Sequence, residues 1–420
     1  MPASRGRTGL RLCVLVTSLA LGLGTIGVTS ARSGRPATAA SAPPRVLPGM
    51  ELHMHGDQPH YHEITSGTDD ARRGLVFKGL KRARTHDHCD GGYRIRTNHR
   101  PACSHGPDEA PEGVDVRSKP SAADFRAADT TGSPAALPCY SDGASGPRVQ
   151  AIYAHPAGTA DRFAEFSRFF PEWAAHVDSV YARSARETGG DRHVRWVTNS
   201  DCTLNVIGLE LSSSGADTLT SMIDELTARG YDRTDRKYLV WTDASVYCGI
   251  AEVRNDDTPD AGNRNNFGPS FARVDAACWG RAASVEAHEL MHTLGGIQNS
   301  APHATGGWHC ADENDRMCLA DTPGVTLSYP CPAEHEELFD CGHDDYFSTA
   351  PVAGTYLATH WNAANSSFLS ADLPESCRIT TQTTTSPPQK QKQKHKRRHH
   401  RRHAARTTDA VPCVPQSAFG

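Results

Sequence analysis

Past residue 28 the chain has no long apolar run, and nowhere does it contain a Cys-x-x-Cys pair. The first absence predicts a body without a transmembrane anchor. The second argues against a zinc ribbon despite thirteen cysteines. The basic stretch 390–406 has no interleaved aromatic residue, which argues against a specific nucleic-acid reader. A loop dense in oxygen donors (Asp256, Asp257, Asp260, Asn263, Asn265 and Asn266) lacks the spacing of an EF-hand. Residues 51–140 are polar, rich in Gly and His, and short of periodic apolar runs.

What is present begins with a leader. Arg5, Arg7 and Arg11 precede an apolar run over 12–28, and small residues follow at 38–42. That order predicts a secretory signal peptide cleaved between 31 and 42, hence a secreted, extracellular protein. Cys13 would leave with it. The twelve remaining cysteines then read as a disulfide framework, with Cys310–Cys318 and Cys331–Cys341 as local candidate pairs. Net charge is −4, yet residues 390–406 carry nine Lys or Arg and no acid, so the remainder sums to −13. The basic tail is a candidate contact for anionic cell-wall or surface polymers.

The expected organisation is a leader over 1–40, a polar Cys- and His-containing segment over 41–147, a catalytic domain over 148–371 and a disordered tail over 372–420. The polar segment reads equally as a loop-rich flap or as a propeptide. From 148 onward, strands are expected at 149–154, 193–198, 204–211, 237–242, 245–253 and 271–279. Helices are expected at 161–187, where Phe163, Phe166, Phe170, Trp173, Val177 and Val180 recur at three or four residues, and at 217–228 and 282–294. The fold class is α+β, α/β-like at first, with a mixed sheet, one site-bearing helix and an irregular, disulfide-braced C-terminal part.

Residues 288–298 read His-Glu-Leu-Met-His-Thr-Leu-Gly-Gly-Ile-Gln. On a helix His288 and His292 share one face, so both imidazoles can reach one metal ion. Glu289 lies beside them as a general base. Zinc suits such ligands, and Gly295-Gly296 would end the helix. This pattern resembles the metzincin metallopeptidases, whose signature continues from His-Glu-x-x-His-x-x-Gly to a third histidine and a later Met-turn. The stretch 148–369 is also similar to a group of exported actinobacterial metallopeptidases. The shared segments include Tyr-Asp-Arg-Thr-Asp-Arg-Lys-Tyr at 231–238, His-Cys-Ala-Asp at 309–312 and Asp-Cys-Gly-His-Asp-Asp-Tyr-Phe at 340–347.

The resemblance implies a zinc endopeptidase acting on proteins or peptides, with Met317 in the Met-turn. The sequence departs from it at Gln298, where the third histidine would stand. His309 is the first candidate for that ligand and His303 the alternative, ahead of Asp312 and Gln298 itself. Asp340, His343, Asp344 and Asp345 read as a calcium site or a solvated turn, and Tyr346 as a catalytic or core aromatic. A thiolate block from Cys89 requires that cysteine to be unpaired. The rival from another class is a non-catalytic, zinc-stabilised surface-binding protein anchored by its basic tail.

Overall fold

The computed structural model describes residues 69–126, 137–281, 284–322 and 324–372, together with the backbone of two short strands at 50–55 and 58–63. The expected leader, the basic tail, Cys377 and Cys413 lie outside the described residues. Strands β1 (Met50–His55) and β2 (Gln58–Glu63) form a hairpin of their own.

The fold is α+β, built on one mixed sheet of eight strands. Its strands are β3 (Leu80–Arg82), β4 (Tyr93–Arg96), β5 (Pro101–Asp108), β6 (Arg148–Pro156), β8 (Val206–Leu211), β9 (Arg236–Thr242), β10 (Gly249–Val253) and β11 (Ser270–Asp275). Across the sheet they run β3-β4-β5-β10-β11-β9-β6-β8. The pairs β6·β8, β6·β9 and β9·β11 are parallel, whereas β10 runs antiparallel to both β11 and β5.

The inner parallel strands β6, β9 and β11 are buried over almost their whole length, as a sheet covered on both faces requires, whereas β8 at the edge is mostly not. One face carries α3 (Phe169–Glu187), preceded by α1 (Ala122–Arg126) and the single turn α2 (Phe163–Phe166), together with α5 (Val285–Thr293). Phe166, Phe170, Trp173, Trp241 and Trp279 interlock there. The other face packs Leu219, Met222, Ile223 and Leu226 of α4 (Leu219–Ala228) against Ile152, Val240 and Phe271. A small ladder joins β7 (His193–Val194) to β12 (Leu369–Ser370).

The periodic elements arise where expected, with differences that have local causes. The helix expected at 161–187 is interrupted between Phe166 and Phe169. The strand expected at 193–198 keeps only two residues, because beyond it Val197 hydrogen-bonds to Val149 at the rim of the sheet instead of continuing a ladder. The polar segment before 147 contributes three strands to the main sheet, besides the β1–β2 hairpin, that no periodicity announced. Beyond 294 the chain is irregular and braced by Cys310–Cys318 and Cys331–Cys341, both of them expected pairs. Cys89–Cys103, Cys139–Cys202 and Cys248–Cys278 complete the bridges among the described residues. With Cys89 bonded to Cys103, it has no thiol with which to block a metal.

Candidate functional site

Helix α5 starts at Ser284, whose side chain accepts the Ala287 N–H. It stops at Gly295, where φ is +86° and a Cβ would collide with Asn265 and Trp361. Every residue from Glu286 to Thr293 is buried. The buried carboxylate of Glu286 ties the start of the helix to Trp241 Nε1 (3.0 Å) and Gly280 N (2.7 Å). The helix is thereby fixed against β9 and the turn that follows β11 before any site chemistry is considered.

Three imidazoles converge beside it. Nε2 of His292 lies 3.0 Å from Nε2 of His288 and 3.2 Å from Nε2 of His309, and the last two are 3.3 Å apart. The outer nitrogens fix the ring orientations: His288 Nδ1 lies 2.7 Å from the Arg316 carbonyl, and His309 Nδ1 lies 2.8 Å from Asp321 Oδ2. With Nδ1 donating outward, His288 and His309 turn their Nε2 lone pairs inward, while His292 Nδ1 has no hydrogen-bond partner of its own. Lone pairs at this range repel unless a proton or a cation lies among them. A tetrahedral zinc with bonds of about 2.0–2.1 Å would space its donors about 3.3 Å apart, so the residues fit a metal. Burial, and then the neighbouring imidazoles, keep His292 well below the usual histidine range, hence neutral and able to donate a lone pair.

The remaining sequence candidates fall into place around this trio. Gln298 is spent on the loop: its amide donates to the carbonyls of Arg254 and Gly295 and accepts the Asp256 N–H. His303 sits apart, its Nδ1 3.1 Å from carboxylates of both Asp312 and Asp345. Met317 is fully buried, and its neighbour Arg316 supplies the carbonyl that orients His288. Tyr346 is a core residue, with its hydroxyl 2.6 Å from Asp315 Oδ1. Asp340 accepts the amides of Asp344, Asp345, Tyr346 and Phe347, which is turn capping. His303, Asp344 and Asp345 remain as a looser grouping of donors.

Two site residues were not foreseen, and both come from β5. The carboxylate of Asp108 reaches His288 Nε2 at 2.9 Å and His309 Nε2 at 3.5 Å, taking a fourth place around the trio. Burial alone would raise its pKa, but the imidazoles of His105, His288 and His309 hold it well below the usual carboxylate range. His105 stacks on His292 with ring centres 3.9 Å apart, and its Nε2 accepts the Ala251 N–H at 2.9 Å. The same nitrogen is 3.1 Å from Glu289 Oε2. Burial first, then the charge of Asp108, raises the Glu289 pKa well above normal.

Glu289 itself is completely buried, and its Oε1 has no hydrogen-bond partner. It lies against the backbone of β10 at Gly249, where any Cβ would strike the carboxylate. An unpartnered buried carboxylate oxygen beside a trio of lone pairs is costly unless a ligand uses it. The only sequence signal for the β5 residues is the short string His105-Gly106-Pro107-Asp108, and nothing in it indicates what it faces.

No family model matches the chain, and no curated protein matches it. Among solved structures it is similar to metalloproteinase-II from Bacteroides fragilis at 14% identity and a TM-score of 0.21, over 60% of this chain and 75% of that one. A likeness that slight carries no argument about activity.

Proposed function

We propose that this protein is a zinc-dependent endopeptidase, with His288, His292 and His309 holding the ion and Glu289 as the general base. The convergence of three Nε2 atoms next to an unpartnered, buried carboxylate oxygen supports this most directly. Zinc held there supplies a Lewis acid that polarises a carbonyl and acidifies a water molecule. The protein's own groups do the rest. Arg316 and Asp321 hold two imidazoles in the tautomers that present Nε2. The carboxylate of Glu289 accepts a proton from water and returns it to the leaving amine. Its burial makes it a stronger base than an exposed glutamate would be. Five disulfides suit an oxidising, extracellular setting.

A second reading rests on Asp108. With that carboxylate as fourth ligand the coordination is closed, and a closed site is structural rather than catalytic. A zinc-stabilised binding protein, attached to anionic surfaces by its basic tail, would then result. The test is zinc content together with chelator-sensitive hydrolysis of casein, measured before and after limited proteolysis. Glu289→Gln is expected to keep one equivalent of zinc and to lose hydrolysis by roughly 10²–10⁴-fold. His292→Ala is expected to lose the metal. Full hydrolysis by Glu289→Gln, or undiminished zinc in His292→Ala, would sink the assignment.

A further inference from the structure

The hairpin of β1 and β2 sorts its residues by chemistry. Its register sets Glu51 opposite His62, His53 opposite His60 and His55 opposite Gln58. Successive residues of a strand alternate between its faces, and directly opposed residues of an antiparallel pair share one. Those six positions therefore lie on a single face, and four of the six are histidine. The other face takes Met50, Leu52, Met54, Pro59 and Tyr61, with Glu63 at its open end. With 22 histidines in 420 residues, any six positions would hold about a third of one by chance. Solubility alone is served by Lys, Glu or Thr and does not ask for histidine at opposed positions.

Register turns this composition into a constellation. A one-residue slip would send every histidine of one strand to the far face. In the sequence the two strands are joined by Gly56-Asp57, a pair suited to a two-residue hairpin connection, and that length agrees with the pairing of His55 and Gln58. Opposed residues bring their Cβ atoms to roughly 5 Å, and neighbours on one face of a strand are roughly 7 Å apart. Glu51, His53, His60 and His62 thus stand at the corners of two adjacent rows, a patch small enough for side chains of their length to share one ion. His55 lies one row further, across the His53–His60 pair from His62.

We infer that this face of the hairpin is a second metal site, in which Glu51, His53, His60 and His62 hold one divalent late transition-metal ion, copper(II) ahead of zinc. Imidazole nitrogens with a single carboxylate suit copper, nickel and zinc, whereas calcium and magnesium ask for oxygen donors throughout. Copper(II) heads the affinity order of the divalent first-row ions for such donors. An isolated two-stranded hairpin is marginal in water, so an ion bonded to both strands would also staple them together. None of His288, His292 and His309 takes part, so this site stands or falls separately from the one at α5.

The experiment uses the full chain, with copper(II) as the probe and free glycine as a competing chelator. Wild type is expected to retain one equivalent of copper more than the double variant His53→Thr, His60→Thr. Copper taken up at α5 or by the basic tail is common to both chains and cancels in that difference. Threonine favours strands, so a loss in the variant is not the loss of the hairpin. His62→Thr is expected to weaken the extra equivalent roughly 100-fold, as removal of one ligand in four should, and His55→Thr to leave it unchanged. Equal copper content in wild type and the double variant would overturn the site. A loss from His55→Thr as large as that from His62→Thr would overturn the ligand set. Displacement of the extra copper by equimolar zinc would overturn the preference for copper.

Discussion

Helix α5 and strand β5 meet at Glu289, and they reach it by opposite routes. The helix carries His288, Glu289 and His292 on one short stretch, where 3.6-residue geometry alone fixes their spacing. The strand carries His105 and Asp108, which reach the same point only because β5 pairs with β10 about 140 residues along the chain. Local geometry can be read from a sequence, whereas the landing point of a polar strand cannot. The helix is held on several sides by the body, while the strand is held by pairing and by contacts that can be broken.

That contrast can be tested by breaking each region's own disulfide. Replacing Cys139 and Cys202 by Ser opens a bridge 63 residues apart in sequence, and is expected to cost the body about 4 kcal/mol of stability. A denaturation midpoint reports it directly. Replacing Cys89 and Cys103 opens a 14-residue separation, a cost of about 3 kcal/mol confined to the N-terminal strands. Amide exchange should then speed up in β4 and β5 and leave α5 unchanged. If both pairs shift the body equally, the two regions are one cooperative unit and the contrast fails.

A finer probe is Asp321→Asn, which takes the charged partner from His309 and leaves the backbone partner of His288 in place. Zinc affinity is expected to fall roughly 10–100-fold, read by competition with a chelator. No loss would mean that the loop side of the site needs no carboxylate to orient it.

The smallest expected effect lies at Asp243, which faces Arg162 of the body (2.7 Å) and Lys119 of the N-terminal segment (3.4 Å). Burial would raise its pKa, but hydrogen bonding and charge from Arg162, then from Lys119, bring it below the usual value. A lowered carboxylate pKa gives stability that is complete above the unfolded value of 3.8 and is lost as pH falls through the folded one. Lys119→Gln should reduce this acid-sensitive stability by less than about 1 kcal/mol, since Lys119 is partly exposed. A loss as large as that from Arg162→Gln would show that Lys119 supports Asp243 as strongly as Arg162 does.

Much of the body was legible because its signals are periodic or local. The aromatic spacing of α3, the apolar runs of β6 and β9 and the end of α5 at Gly295 follow from backbone rules. His309 could be favoured over His303 because it adjoins Cys310, whose short bridge to Cys318 ties it to the Met317 turn. The strands before 147 were hidden, since β3 has three residues and β4, though it alternates as Tyr-Arg-Ile-Arg, has four, too few for a period to stand out. The role of Gln298 was hidden for a different reason. Its partners, the Arg254 carbonyl and the Asp256 amide, belong to a distant loop whose fold no residue type dictates.

The position of His309 sets an order of events in assembly. It lies seventeen residues beyond His292, where a histidine at 298 would have lain six beyond. Closing the longer loop costs about 1 kcal/mol more in chain entropy, a modest sum. The larger effect is on timing. A helix and one turn would let an ion nucleate its own site, but here the 299–321 excursion must already have been shaped by Cys310–Cys318 and by Asp321. Under the proposed reading an ion would meet a finished cradle, as cargo docking in a completed berth, and would not seed the fold that holds it.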